Sequence, residues 1–248
     1  MMNKAGVRLG AAIWLLAMTG FAALALTVLP QLAAQSPRNI PFAMVLLVSG
    51  VQSGVLLLLA VWAGVTLSRP LGLGAPMLEA VLGGTGWWSA LRRQLLPATI
   101  VGLIVGAMLL LAEHMQPAPL AAAGQTVDIP LAARLLYGGV TEEVLLRWGL
   151  MTTLVWLPWR VLQKRAGLPR PAFVIGAIVA AAILFGAGHL PAAVAMGARL
   201  DGPVVTFIIV GNALPGILFG FLYWRKGIEA AMIAHALGHL AGFLAHTM

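Results

Sequence analysis

The sequence predicts an all-α polytopic membrane protein, with about seven transmembrane helices in one bundle and an eighth allowed. Three observations carry this. Hydrophobic residues make up 61% of the 248-residue chain and charged residues only 9%, against about 25% charged in a soluble domain. The apolar residues fall in runs of about 20, the length a helix needs to cross a hydrocarbon core roughly 30 Å thick. The basic residues gather in the short breaks between those runs.

Seven apolar segments follow in order: residues 9–33, 41–67, 95–115, 131–160, 171–190, 204–223 and 227–247. The first is preceded by Lys4 and Arg8 and followed by the small residues Leu32-Ala33-Ala34-Gln35-Ser36, which together resemble a secretory signal. Its run from Leu9 to Leu29 exceeds the roughly 7–15 residues of a signal-peptide core, so it reads as a retained span. The breaks carry proline, glycine, serine or charge, as in Gln35-Ser36-Pro37-Arg38, Ser68-Arg69-Pro70, Gln116-Pro117-Ala118-Pro119, Gly167-Leu168-Pro169-Arg170 and Arg199-Leu200-Asp201-Gly202-Pro203. Residues 71–90 are less apolar, rich in glycine and marked by Trp87-Trp88, which suits an interfacial stretch. Residues 1–248 read as a single membrane domain without internal repeats.

Charge sets the orientation. With the N-terminus in the cytoplasm, Lys4, Arg8, Arg69, Arg92, Arg93, Arg160, Lys164, Arg165, Arg170, Arg225 and Lys226 lie on the cytoplasmic side, and only Arg38, Arg134 and Arg199 on the other. Such a bias is the positive-inside pattern and implies an odd number of spans. It also explains the net charge of +8 as topology and attraction to anionic lipid, not nucleic-acid binding. The chain has no cysteine, which excludes disulfides and thiolate metal sites.

Few ionisable residues fall inside the apolar segments: Glu142, Glu143 and Arg147 in the fourth, His189 late in the fifth, and His235 and His239 in the seventh. A charge at mid-membrane costs about 2.5–3.5 kcal/mol on insertion scales, so such residues are paired or line a polar cavity. Glu143 and Arg147 are i,i+4 in the favoured order for an ion pair, and Glu142 sits about 100° around an α-helix from Glu143. Arg147 therefore neutralises Glu143, leaving Glu142 to face elsewhere as a candidate general base. His235 and His239 share a helix face at a spacing that suits a metal ion, although Ala236 stands where a zincin helix has glutamate. On straight helices, His189 would lie about 27 Å and His235 about 12 Å from their cytoplasmic ends. Their convergence requires tilt, a late helix start or a break at Pro191.

These residues fit an ordered set of motifs. Thr141-Glu142-Glu143-Val144-Leu145-Leu146-Arg147 fits E-E-x-x-x-R, Phe185-Gly186-Ala187-Gly188-His189 fits F-x-x-x-H, and His235-Ala236-Leu237-Gly238-His239 fits H-x-x-x-[N/D/B] in its first position. Gly220-Phe221-Leu222-Tyr223-Trp224-Arg225-Lys226-Gly227 precedes the last. Over residues 131–248 the chain resembles the CPBP (Abi-type) family of intramembrane proteases, which includes CAAX prenyl endopeptidases and bacterial bacteriocin-processing or self-immunity proteins. The resemblance implies an endopeptidase acting on a membrane-associated peptide or protein. Glu142 and His189 would activate water, His235 and His239 would hold the oxyanion, and Glu143, Arg147 and Phe185 would support them. His239 stands where the family usually has asparagine, and three histidines with Glu142 also suit zinc.

The expectation is therefore a glutamate-based intramembrane endopeptidase with no cofactor, in a bacterial cytoplasmic membrane. Its partners are a peptide or membrane-protein substrate and the lipid bilayer. The alternatives are a zinc-dependent version using His189, His235, His239 and Glu142, a non-catalytic immunity or scaffold protein of the same fold, and a proton or metal transporter. The absence of a repeat weakens the last.

Overall fold

The structure is a computed structural model that describes residues 3–35, 40–124 and 127–247; the predicted break at Ser36-Pro37-Arg38 lies outside the described residues. Among the described residues the protein is helical, without strands. Four helices occupy the N-terminal half: α1 (Lys4–Gln35), α2 (Phe42–Leu67), the short α3 (Pro76–Leu82) and α4 (Trp87–His114). Next come α5 (Ala118–Gly124) and a single rod over residues 131–161, which starts as α6 (Leu131–Ala133) and ends as α7 (Thr152–Val161). The chain finishes with α8 (Pro171–Gly188), the short α9 (Leu190–Ala195), α10 (Gly202–Lys226) and α11 (Ile228–Thr247).

Six of these helical stretches are long and apolar enough to cross a membrane, among the described residues: Lys4–Gln35, Phe42–Leu67, Trp87–His114, Pro171–Ala195, Gly202–Lys226 and Ile228–Ala245. The protein is an integral membrane protein. The helix of the third predicted span, α4, begins at Trp87, eight residues before the predicted 95. Arg92, Arg93 and Gln94 depress the hydropathy of its first turns, where a helix extends beyond the hydrocarbon, and Trp87 and Trp88 are exposed there. The expected loop at 116–119 is helical from Ala118, where α5 begins.

The rod over residues 131–161 departs from α geometry. Arg134–Glu142 and Val144–Met151 are π-helical, a wider i→i+5 winding that elsewhere occurs in single turns, often at functional sites. Threonine hydroxyls reach back along it. Thr141 Oγ1 donates to Ala17 O of α1 at 2.6 Å, and Thr152 Oγ1 lies 3.1 Å from Arg147 O. Val144, Trp148, Met151, Thr152 and Val155 are fully buried. The rod is enclosed by α1, α2, α8 and α11, and that enclosure is how it tolerates charge that a lipid-facing helix would not. By contrast, α2 exposes Leu47, Val51, Val55, Leu58, Leu59 and Trp62, an apolar face suited to lipid.

Close helix approach depends on small residues. A Cβ at Gly102 of α4 would lie 2.7 Å from Leu237 Cβ and 3.0 Å from Ala234 O, so α4 and α11 pack nearly backbone to backbone. The same holds between the rod and α2 at Gly149, where a Cβ would lie 2.5 Å from Ala60 Cβ and 2.7 Å from Ala60 Cα. Such packing carries membrane helix association, because lipid supplies no hydrophobic drive between helices. Gly149→Ala is expected to destabilise the protein by about 1–3 kcal/mol of overpacking, partly offset by the better helix propensity of alanine. Thermal unfolding in detergent measures it.

Candidate functional site

The site forms where the rod, α8, α10 and α11 meet. Glu143 and Arg147, four residues apart on the rod, make the expected ion pair, with Arg147 Nη1 donating to Glu143 Oε1 at 2.9 Å. Both side chains are buried, and Arg147 Nη2 donates to Gly216 O of α10 at 2.9 Å. A Cβ at position 216 would sit 3.1 Å from that nitrogen, so glycine leaves the carbonyl open to the guanidinium. The guanidinium carbon also lies 5.1 Å from the centroid of Phe185 and 5.4 Å from that of Phe219. Two rings at this range replace part of the hydration the cation has lost.

Glu143 has a second partner. His235 Nδ1 lies 2.8 Å from the same Oε1. An ionised carboxylate only accepts, so His235 carries its hydrogen on Nδ1 and, when neutral, presents a lone pair at Nε2. The His189 ring turns back along α8 so that its Nδ1 lies 2.9 Å from Phe185 O. A carbonyl also only accepts, so His189 likewise presents Nε2 as its free nitrogen. Both Nε2 atoms point at Glu142: His189 Nε2 is 4.0 Å from Oε1 and His235 Nε2 is 3.9 Å from Oε2. These gaps are too long for direct hydrogen bonds and suit one bridging water each.

The depth mismatch counted from straight helices is thus overcome. α8 ends at Gly188, and His189 closes it ahead of α9, which is the expected break before Pro191. The bond to Phe185 O brings the imidazole back by about one turn, or about 5.4 Å. Phe185 fills the space between the two histidines, with ring centroids 4.7 Å from His189 and 6.3 Å from His235.

Exposure separates the roles. The Glu143 and His235 side chains are 0% and 7% exposed, whereas Glu142 and His189 are 15% and 34% exposed. The inner pair is sealed in the bundle and the outer pair is reachable. His235 is held as a plate: Phe219 stacks on it at 4.5 Å and 19°, and His239 on its own helix stacks at 5.0 Å and 25°. A Cβ at Gly138 of the rod would fall 2.7 Å from His239 Nε2 and 3.5 Å from His235 Nε2. Glycine at that position lets both rings reach the rod.

All the sequence-predicted residues therefore gather here, with His239 attached through His235. Among the described residues, no group of three or more histidine, aspartate or glutamate side chains is disposed to hold a metal ion. Sequence reasoning missed the bond from Glu143 to His235, and it missed Phe219, Gly216 and Gly138. Phe219 and Gly216 lie in a run of apolar and small residues, where no pattern marks the two that touch the site. Gly138-Gly139, just ahead of the glutamate pair, was the visible signal for close approach.

Residues 125–241 match the model of the family described as Type II CAAX prenyl endopeptidase Rce1-like. That stretch contains Glu142, His189, His235 and His239. No curated protein and no solved structure matches the chain.

Removing one member of a buried charge cluster leaves the other uncompensated, at a cost of about 3–5 kcal/mol. Arg147→Ala is expected to lower stability by that order, whereas Arg147→Met paired with Glu143→Leu should recover much of it. Thermal unfolding of both variants in detergent checks this.

Proposed function

We propose that this protein is an intramembrane endopeptidase of glutamic type, hydrolysing a peptide bond of a membrane-associated peptide or protein. The family match over residues 125–241 supports the protease class. The observation that carries the mechanism is the placement of Glu142 about one water's width from Nε2 of both His189 and His235, at 4.0 and 3.9 Å. Glu142 takes a proton from a water held between it and His189, whose Nε2 accepts the water's other hydrogen. The resulting hydroxide attacks the scissile carbonyl carbon. His239 donates an N–H to the developing oxyanion, and His235, held at Nδ1 by Glu143 and stacked on His239, fixes its place. As the C–N bond breaks, the proton on Glu142 passes to the departing amine. Positioned acid–base groups and preorganised donors each contribute roughly 10²–10³-fold or more.

The mechanism uses no metal. Among the described residues, His239 stacks on His235 without closing a ligand set with the other histidine and the glutamates around one point. Counting the rod over residues 131–161 as a seventh span, we read the N-terminus as cytoplasmic from the basic-loop bias and the membrane as a bacterial cytoplasmic one. Substrate enters beside His189, the most exposed member of the cluster.

Cleavage of a peptide library by the protein in liposomes tests this reading. Glu142→Ala and His189→Ala should each lower the rate by about 10²–10⁴-fold while leaving thermal unfolding close to wild type. Chelators should leave the wild-type rate unchanged. A wild type without activity, or full activity in both variants, overturns the protease. Loss of a bound zinc together with activity overturns the metal-free chemistry.

A further inference from the structure

A second polar feature lies away from the glutamate pair, at the end of the bundle where the basic loops meet. A hollow of about 270 Å³ is lined by Arg69, Glu79, Tyr223, Trp224, Arg225 and Lys226, among others. Its walls come from two separate parts of the chain, the turn after α2 and the end of α10. They are tied together where Ile228 N donates to Gly74 O at 3.1 Å. The three cations are exposed and available, and the floor is buried: Leu73 is 5% exposed and Tyr223 1%.

Two cations in the last turn of α10 have an ordinary explanation, since they oppose the negative end of the helix dipole. That accounts for Arg225 and Lys226. It does not account for Arg69, which belongs to a different segment, nor for the hollow between them. Glu79 offsets one charge, but its Oε1 accepts from Ala75 N at 3.1 Å and is committed to the local turn. Two net positive charges remain around a cavity. Arg225 is also fixed in place, its guanidinium carbon 4.0 Å over the Trp224 ring.

We propose that this hollow binds a phosphate group, and specifically the headgroup of an anionic phospholipid. Basic pockets between transmembrane helices on the cytoplasmic side suit such headgroups. Trp224 marks the membrane interface. One turn deeper on α10, Phe221 is exposed with its ring 6.0 Å from that of Trp224, offering an apolar path for the acyl chains. A soluble phosphate would use the same cations and would need no such path.

The test uses the full chain in detergent, with native mass spectrometry reading the retention of phosphatidylglycerol and phosphatidylcholine. The triple variant Arg69→Gln, Arg225→Gln, Lys226→Gln should hold phosphatidylglycerol on the order of 100-fold more weakly, about fivefold for each cation removed. Phosphatidylcholine should be unaffected. Glu79→Gln, which keeps the oxygen for Ala75, should bind phosphatidylglycerol several-fold more tightly, a gain that misfolding cannot mimic. Equal retention by wild type and triple variant overturns the proposal. So does an equal loss in Arg92→Gln, Arg93→Gln, which removes two cations from outside the hollow. Displacement of the lipid by millimolar inorganic phosphate overturns the lipid assignment in favour of free phosphate.

Discussion

The site depends on one buried oxygen. Glu143 Oε1 accepts from Arg147 Nη1 at 2.9 Å and from His235 Nδ1 at 2.8 Å. Sealed from solvent, this carboxylate needs partners, and the desolvation it has suffered is offset only if they stay. Arg147 in turn needs Gly216 O and the faces of Phe185 and Phe219. A single polar knot thus joins the rod, α8, α10 and α11. Breaking it would release the helices and the orientation of His235 together.

The knot also explains why two adjacent glutamates differ. Glu143 is consumed by structure, and Glu142, one residue away, is turned to the reachable side. Both address His235 from opposite nitrogens, Glu143 at Nδ1 and Glu142 at Nε2. The imidazole therefore links the sealed acid to the reachable one. The π-helical winding places this pair on a rod enclosed by other helices, which reconciles a cluster of charge with the cost of charge in a membrane.

Much of this was legible in the sequence because the membrane makes polar residues conspicuous. Glu142, Glu143, Arg147, His189, His235 and His239 stood out against apolar runs, and the i,i+4 order gave the Glu143–Arg147 pair directly. The apolar half of the site was not legible. Phe219 and Gly216 resemble every other apolar or small residue of a buried helix, and only tertiary packing selects them. The start of α4 was hidden by Arg92 and Arg93, since hydropathy reports the hydrocarbon and not the helix. The π winding was invisible because its pattern of apolar residues resembles that of an α-helix over so few turns. The depth mismatch between His189 and His235 came from counting backbone rise alone; the bond from His189 Nδ1 to Phe185 O makes up about one turn of it in the side chain.

The central claim is that Phe185 O and Glu143 hold the Nδ1 atoms of His189 and His235, so that both Nε2 lone pairs face Glu142. Nitrogen-15 NMR of histidine-labelled protein in detergent reads it directly, with Glu142→Ala, His189→Asn and His235→Asn used for assignment. The account predicts that the neutral rings of both residues carry hydrogen on Nδ1 and none on Nε2. The opposite tautomer on either ring would contradict it.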